Sequence, residues 1–206
     1  MILEATHNEI FYGFLKFYTK LRIRCAFREV KIEGNVADKG LPVLVLSNHM
    51  SWWDGFWIMY MNMKLFRRKF YFMMLEQQLR RLWVFNKTGG YSVKKGSKSI
   101  IESIRYTLKL LEDEGNMVLI FPQGKIESMH RNDFVFEKGA IRIAEQAKRV
   151  QLLFVANMIE YYSNAKPTLF MFLAEYNRDN PGGIDKAYND FYNTTLKKHL
   201  ERIAEQ

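Results

Sequence analysis

Two residues of this chain have the types and spacing of a general base and its orienting acid. They are His49 and Asp54 in Ser47-Asn48-His49-Met50-Ser51-Trp52-Trp53-Asp54. An imidazole that donates from one nitrogen to a carboxylate keeps its other nitrogen free to accept a proton near neutral pH. The spacing restricts how the two can meet. On one continuous helix, five residues at about 100° each would set the side chains roughly 140° apart. They close only if His49 lies in a turn and Asp54 in the first turn of the helix behind it, where the helix dipole also favours a carboxylate. A structural histidine beside a helix-capping aspartate is the alternative. The position of the pair after an apolar strand, where α/β sheets place their sites, favours chemistry.

The surrounding elements must produce that turn. Pro42–Leu46 reads as a strand covered on both faces, being an unbroken run of branched apolar residues after Pro42. Residues 54–62 read as a buried helix, 69–75 as a strand and 77–85 as a helix. Thr88-Gly89-Gly90 breaks the chain before a brief extended piece at 91–93. Ser97 or Ser99 can cap a helix that runs to Glu114, and Gly115 suits its stop. Residues 117–121 form a further strand ending at Pro122-Gln123-Gly124. A helix follows over 137–149, then strands over 152–156 and 168–174, a turn at Pro181-Gly182-Gly183, and a last helix to about Ala204.

Upstream, residues 4–26 read as an amphipathic helix carrying Phe11, Phe14, Phe17 and Tyr18 among Lys16, Lys20, Arg22 and Arg24. Basic residues beside large rings suit a helix lying at a membrane interface, and equally one packed on the core with its cations solvated. Residues 30–32 form a short strand. Strands alternating with helices predict one α/β domain over 1–206, with a mostly parallel or mixed central sheet flanked by helices. Its parts are a 1–28 amphipathic segment and a 29–206 α/β core.

Two further stretches have anion-binding character: Gly89-Gly90-Tyr91-Ser92-Val93-Lys94-Lys95 and Ile120-Phe121-Pro122-Gln123-Gly124-Lys125. Glycines permit close backbone approach and lysines supply charge, although ordinary turns with surface lysines read the same way. Ser47 and Ser51 lack a nucleophile elbow, which argues against a covalent serine hydrolase. Cys25 lies in the N-terminal helix without an activating pattern. Glu76, His130 and His199 are scattered without metal-ligand spacing, and neither a Walker loop nor a dinucleotide fingerprint occurs.

Composition narrows the partners. A net charge of +9 over 206 residues points to an anionic partner. The cations are spread through helices and turns, which fits a membrane surface better than nucleic acid. A single cysteine excludes an internal disulfide framework and suggests a reducing compartment. With no apolar run near the roughly 18 residues of a spanning helix, and no signal peptide, the expected location is cytoplasmic, peripheral on the inner face of the cell membrane.

The order and contexts of Asn48-His49-x4-Asp54, the Gly89–Lys95 stretch and Phe121-Pro122-Gln123-Gly124 resemble the glycerolipid acyltransferases with a His-x4-Asp motif, the 1-acyl-glycerol-3-phosphate acyltransferase-like enzymes. The resemblance runs from about Pro42 to Tyr162. It implies that His49, oriented by Asp54, deprotonates an acceptor hydroxyl that attacks the thioester of acyl-CoA or acyl-carrier protein directly, with no cofactor and no metal. It puts Asn48, Ser51, Gly89, Gly90, Lys94, Lys95, Phe121, Pro122, Gln123, Gly124 and Lys125 at the substrates, with an acyl thioester and a lipid acceptor as partners. Lys95 stands where the family usually has an arginine, keeping the charge without the bidentate fork. Gln123 and Ile126 replace the family's acidic and basic residues, and residues 153–157 lack its proline-containing fourth motif. Acceptor identity therefore stays open, between a lysophospholipid and a non-phosphorylated glycolipid or pigment hydroxyl. A thioesterase using water and a non-catalytic membrane-binding protein are the other readings.

Overall fold

The computed structural model describes residues 2–94, 99–178 and 182–204. Its strands are β1 (Glu29–Glu33), β2 (Val43–Ser47), β3 (Lys69–Leu75), β4 (Gly90–Val93), β5 (Asn116–Ile120), β6 (Gln151–Glu160) and β7 (Thr168–Glu175). Its helices are α1 (Glu9–Ala26), α2 (Asp54–Leu65), α3 (Glu76–Arg81), α4 (Ser99–Leu110), α5 (Lys138–Gln146) and α6 (Gly183–Ala204). The strands form one seven-stranded sheet in the order β1-β7-β6-β2-β5-β3-β4. All pairs are parallel except β6 with β7, so the sheet is mixed.

β2 is central and buried throughout. Val43 and Val45 join the apolar cluster that includes Tyr12, Leu15, Trp57, Met59 and Phe70, on the α1 and α2 side. Leu44 and Leu46 join the opposite cluster, with Ile104, Ile143, Tyr188 and residues of α4, α5 and α6. Successive strand side chains point to opposite faces, so a strand with helices on both sides needs no polar alternation. The result is a single α/β domain of three layers.

The N-terminal stretch departs from expectation. The helix begins at Glu9, where Asn8 caps it by accepting from Ile10 N and Phe11 N at 3.0 and 3.3 Å. Residues 3–8 are instead held by the far end of the sheet. Thr6 N and Asn8 N donate to Asn86 O and Lys87 O, and Ser92 N donates to Leu3 O. This strap covers the free edge of β4, which would otherwise offer unpaired backbone groups. The helix expected over 77–85 also breaks, with Leu82 leaving helical backbone between α3 and a 3-10 turn at Trp83–Thr88. The capping site expected at Ser97 lies outside the described residues, as do Lys95 and Pro181.

α1 packs one apolar stripe on the core and leaves a second exposed. Tyr12, Leu15, Thr19 and Ile23 are buried, and the helix packs on α2. Ile10, Phe14, Phe17 and Leu21 form a second stripe at helical spacing that is exposed, Ile10 by 83%. No helix among the described residues is long and apolar enough to cross a membrane.

Gly89 turns the chain into β4 at φ +108, a backbone region that favours glycine. A Cβ there would lie 2.1 Å from Phe70 O on β3. Gly89→Ala should therefore destabilise the fold by about 2 kcal/mol or more, read as a lower urea midpoint with an unchanged slope.

Candidate active site

The site forms where β2 ends. Asn48 follows the strand, nearly fully buried, and locks it to β6. Its Nδ2 donates to Asn157 O at 3.0 Å, its Oδ1 accepts from Asn157 N at 2.8 Å, and Asn157 Nδ2 donates to Ser47 Oγ at 2.9 Å. With both ends of its amide occupied, Asn48 holds the strand end from which the next residue projects. The chain then turns through Met50–Trp53, where Ser51 Oγ accepts from Trp53 N at 3.2 Å, and enters α2 at Asp54.

Within this turn His49 and Asp54 meet. His49 Nδ1 lies 2.9 Å from Asp54 Oδ2, which also accepts from Met50 N at 2.7 Å and Ser51 N at 2.9 Å. Asp54 is fully buried and its Oδ1 has no hydrogen-bond partner among the described residues. With Oδ2 accepting from two backbone amides, any proton on the carboxyl belongs on Oδ1. Nδ1 is then the donor in either state of the acid, and Nε2 is left as the basic nitrogen. The imidazole lies flat on Phe121, with ring centroids 3.9 Å apart and planes 7° from parallel. Its orientation is thus set by a hydrogen bond in the ring plane and by an aromatic face below it.

A second loop supports the first from behind. His49 N donates to Gln123 Oε1 at 2.9 Å, Gln123 Nε2 donates to Glu127 Oε2 at 3.0 Å, and Glu127 N donates to His49 O at 2.8 Å. Burial works to raise the Glu127 carboxyl, yet the bonds from Gln123 and Lys125 and the nearby Lys125 and Arg131 charges hold it below its ordinary value. Lys125 Nζ sits 3.2 Å from Glu127.

His49 opens onto an apolar cleft of about 390 Å³ between the sheet and α2. Met59, Phe70, Phe72, Met74 and Phe85 line it, with Leu15 of α1. The lining escaped residue-by-residue reading, although the Phe70–Met74 run of rings and methionines carried a signal. Gly55, in the first turn of α2, also lines the cleft, and a Cβ there would meet nothing within 4 Å.

The residues expected at the substrates divide. Phe121, Gly124 and Lys125 line the cleft beside His49. Ser51 and the buried Gln123 shape the loop that carries the histidine. Pro122 is buried, its carbonyl accepting from Glu137 N at 2.8 Å ahead of α5. Gly89 and Gly90 lie away from the cleft lining, pressed on the Phe70 and Phe85 carbonyls, so their close approach is to this chain's own backbone. Lys94 is exposed next to Val93, itself a cleft residue, and Lys95 falls outside the described residues. Among the described residues no group of three His, Cys, Asp or Glu side chains is arranged to hold a metal.

Burial pushes the Asp54 carboxyl above its ordinary value, against the opposing bonds from His49, Ser51 and Met50. A raised acid contributes stability below the unfolded pKa of about 3.9, and that contribution is lost as pH rises through the higher folded value. Asp54→Asn removes this decline. Urea unfolding across that pH window should show the variant gaining stability relative to the native chain, and a difference flat in pH would contradict a buried charge.

Comparison with known proteins agrees with this architecture. A family model described as acyltransferase matches residues 28–158, more than half of the chain. The crystal structure of the 1-acyl-sn-glycerophosphate (LPA) acyltransferase PlsC from Thermotoga maritima is similar in fold, with a TM-score of 0.60 at 15% identity, covering 95% of this chain and 81% of that one. A search of curated protein sequences found no match. With the extent of the family match and the fold in agreement, the chain belongs to the acyltransferase family and is an enzyme of that class.

Proposed function

We propose that this enzyme is a lipid O-acyltransferase that moves a fatty acyl group from acyl-CoA or acyl-carrier protein to a hydroxyl of a lysophospholipid-like acceptor. The observation that carries the reading is a histidine, oriented by a buried aspartate, at an apolar cleft able to take an acyl chain. His49 Nε2 removes the acceptor's hydroxyl proton as its oxygen attacks the thioester carbonyl. The tetrahedral intermediate then collapses, the C–S bond breaks, and the imidazolium returns the proton to the departing thiolate. Asp54 stabilises the imidazolium between these transfers. The step needs neither an acyl-enzyme nor a cofactor.

The fold shared with a 1-acyl-sn-glycerophosphate acyltransferase supports a phosphate-bearing acceptor. Gln123, turned toward Glu127, and the apolar Ile126 on the cleft lining favour a second acceptor class, a lipid hydroxyl without phosphate. The exposed stripe of α1 supports a peripheral position on the inner face of the cell membrane, where a lipid acceptor would lie.

The test is thiol release from an acyl thioester with a panel of lipid acceptors, products identified by mass spectrometry. His49→Ala should lower the rate by about a hundred- to ten-thousandfold while leaving circular dichroism native, and undiminished turnover would sink the mechanism. Turnover without any acceptor would instead mark a thioesterase.

Gly55 bears on chain length. Gly55→Leu fills open cleft space beside Asp54, so the longest acyl donors should lose about tenfold or more in kcat/KM relative to short ones. An unchanged chain-length profile would place the acyl chain elsewhere.

A further inference from the structure

A second recess lies apart from the cleft. It has a volume of about 360 Å³, and its lining includes Lys16 and Lys20 of α1, Tyr60 and Lys64 of α2, and Arg67 and Arg68 of the following loop. Along α2 its lining starts at Tyr60, about 9 Å from Asp54 at the helical rise, and Lys64 lies about 15 Å away. Arg68 is paired with Asp38 at 2.6 Å. Lys16, Lys20, Lys64 and Arg67 have no ion pair among the described residues.

The four exposed cations without ion pairs repel one another across the recess, and an anion that joins them relieves that repulsion. The C-terminal dipole of α2 accounts for cations at Lys64 and Arg67, and Lys16 stands over the Tyr12 ring at 4.4 Å, but neither accounts for Lys20. The loop is also built at a backbone cost. Arg67 occupies the left-handed region at φ +58, where a helix ordinarily ends in glycine. Its N–H donates to Asn62 O at 2.7 Å. The buried Asn62 side chain clamps the next residue in both directions, donating to Arg68 O at 2.8 Å and accepting from Arg68 N at 3.0 Å. Asn62 thus fixes both the left-handed Arg67 and its neighbour Arg68 at the rim of the recess.

We propose that this recess binds the phosphate of an anionic phospholipid headgroup, at a site separate from catalysis. Charge complementarity sets the ligand chemistry, and α1 sets its source. Lys16 and Lys20 lie roughly 110° around the helix from the exposed Ile10-Phe14-Phe17-Leu21 stripe. That is a flank from which a lysine can lower its stem along apolar surface and keep its ammonium among headgroups. A bilayer that receives the stripe therefore brings its phosphates to the recess. The inference rests on the peripheral membrane position proposed above, and binding is read without turnover, so the two ideas can fail separately.

The experiment is co-flotation with vesicles of phosphatidylcholine alone or with phosphatidylglycerol added, across a salt series. The double variant Lys64→Gln with Arg67→Gly removes two recess charges while relieving the left-handed backbone. A control, Lys109→Gln with Lys148→Gln, removes two exposed charges on the side of the other helix layer. The recess variant should lose roughly thirtyfold in affinity for the anionic vesicles. It should also keep its melting temperature or raise it, and keep native thioester turnover in neutral detergent micelles. The control should lose far less. Equal losses in the two variants would reduce the effect to net charge and overturn the site, as would native binding by the recess variant or no vesicle binding by the native chain. Inorganic phosphate at constant ionic strength separates the sources. If it raises the melting temperature of the native chain but not of the recess variant, while vesicle binding stays equal, the recess serves soluble phosphate and the lipid assignment falls.

Discussion

One carboxylate oxygen, Asp54 Oδ2, organises the site. It accepts from the His49 imidazole and from the backbone amides of Met50 and Ser51, so one atom closes the turn and orients the imidazole. Buried charge is costly without such donors. Here the donors do not fully offset the cost, and the carboxyl stays raised. That residual cost is the stability given up to hold an imidazole in one tautomer at the mouth of a cleft. The Gln123–Glu127 link and the Phe121 ring matter because they keep His49 where that oxygen can reach it.

The two helix layers differ in what they present outward. The layer of α4, α5 and α6 closes its side of the sheet with aliphatic and aromatic packing, for example Tyr188 against Phe134 and Phe154. The layer of α1 and α2 packs the other face while leaving a cleft against β3, an outward apolar stripe and a cationic recess. α1 can serve both sides because it is apolar around much of its circumference. One stripe is satisfied by α2 and the core, and the other stays exposed.

Several features were legible because they depend on local chemistry. The unbroken apolar run before Ser47 implied a strand covered on both faces, and β2 is one. The His-x4-Asp spacing required a turn into a helix, and the backbone supplies it. Gly89-Gly90 and Gln123 read differently in the fold. Glycine signals close approach without naming what approaches, and here it is the chain's own carbonyls on β3 and the 3-10 turn. A glutamine after a strand signals hydrogen bonding without direction, and here both ends face the His49 loop. The strap of residues 3–8 was hidden for a related reason, since a helix-compatible segment was drawn to the edge of β4 by partners 79 to 89 residues away.

What the sequence determined by itself was the His49–Asp54 pairing, the α/β class and the apolar, basic character of the first helix. Each rests on residue types and short-range periodicity, which act over a few residues and survive without the fold. The tertiary structure alone decided where the cleft runs, which glycine leaves it open, and which cations share one recess. Lys16 and Arg67 are 51 positions apart in the sequence, and only the packing of α1 on α2 brings their charges to one place.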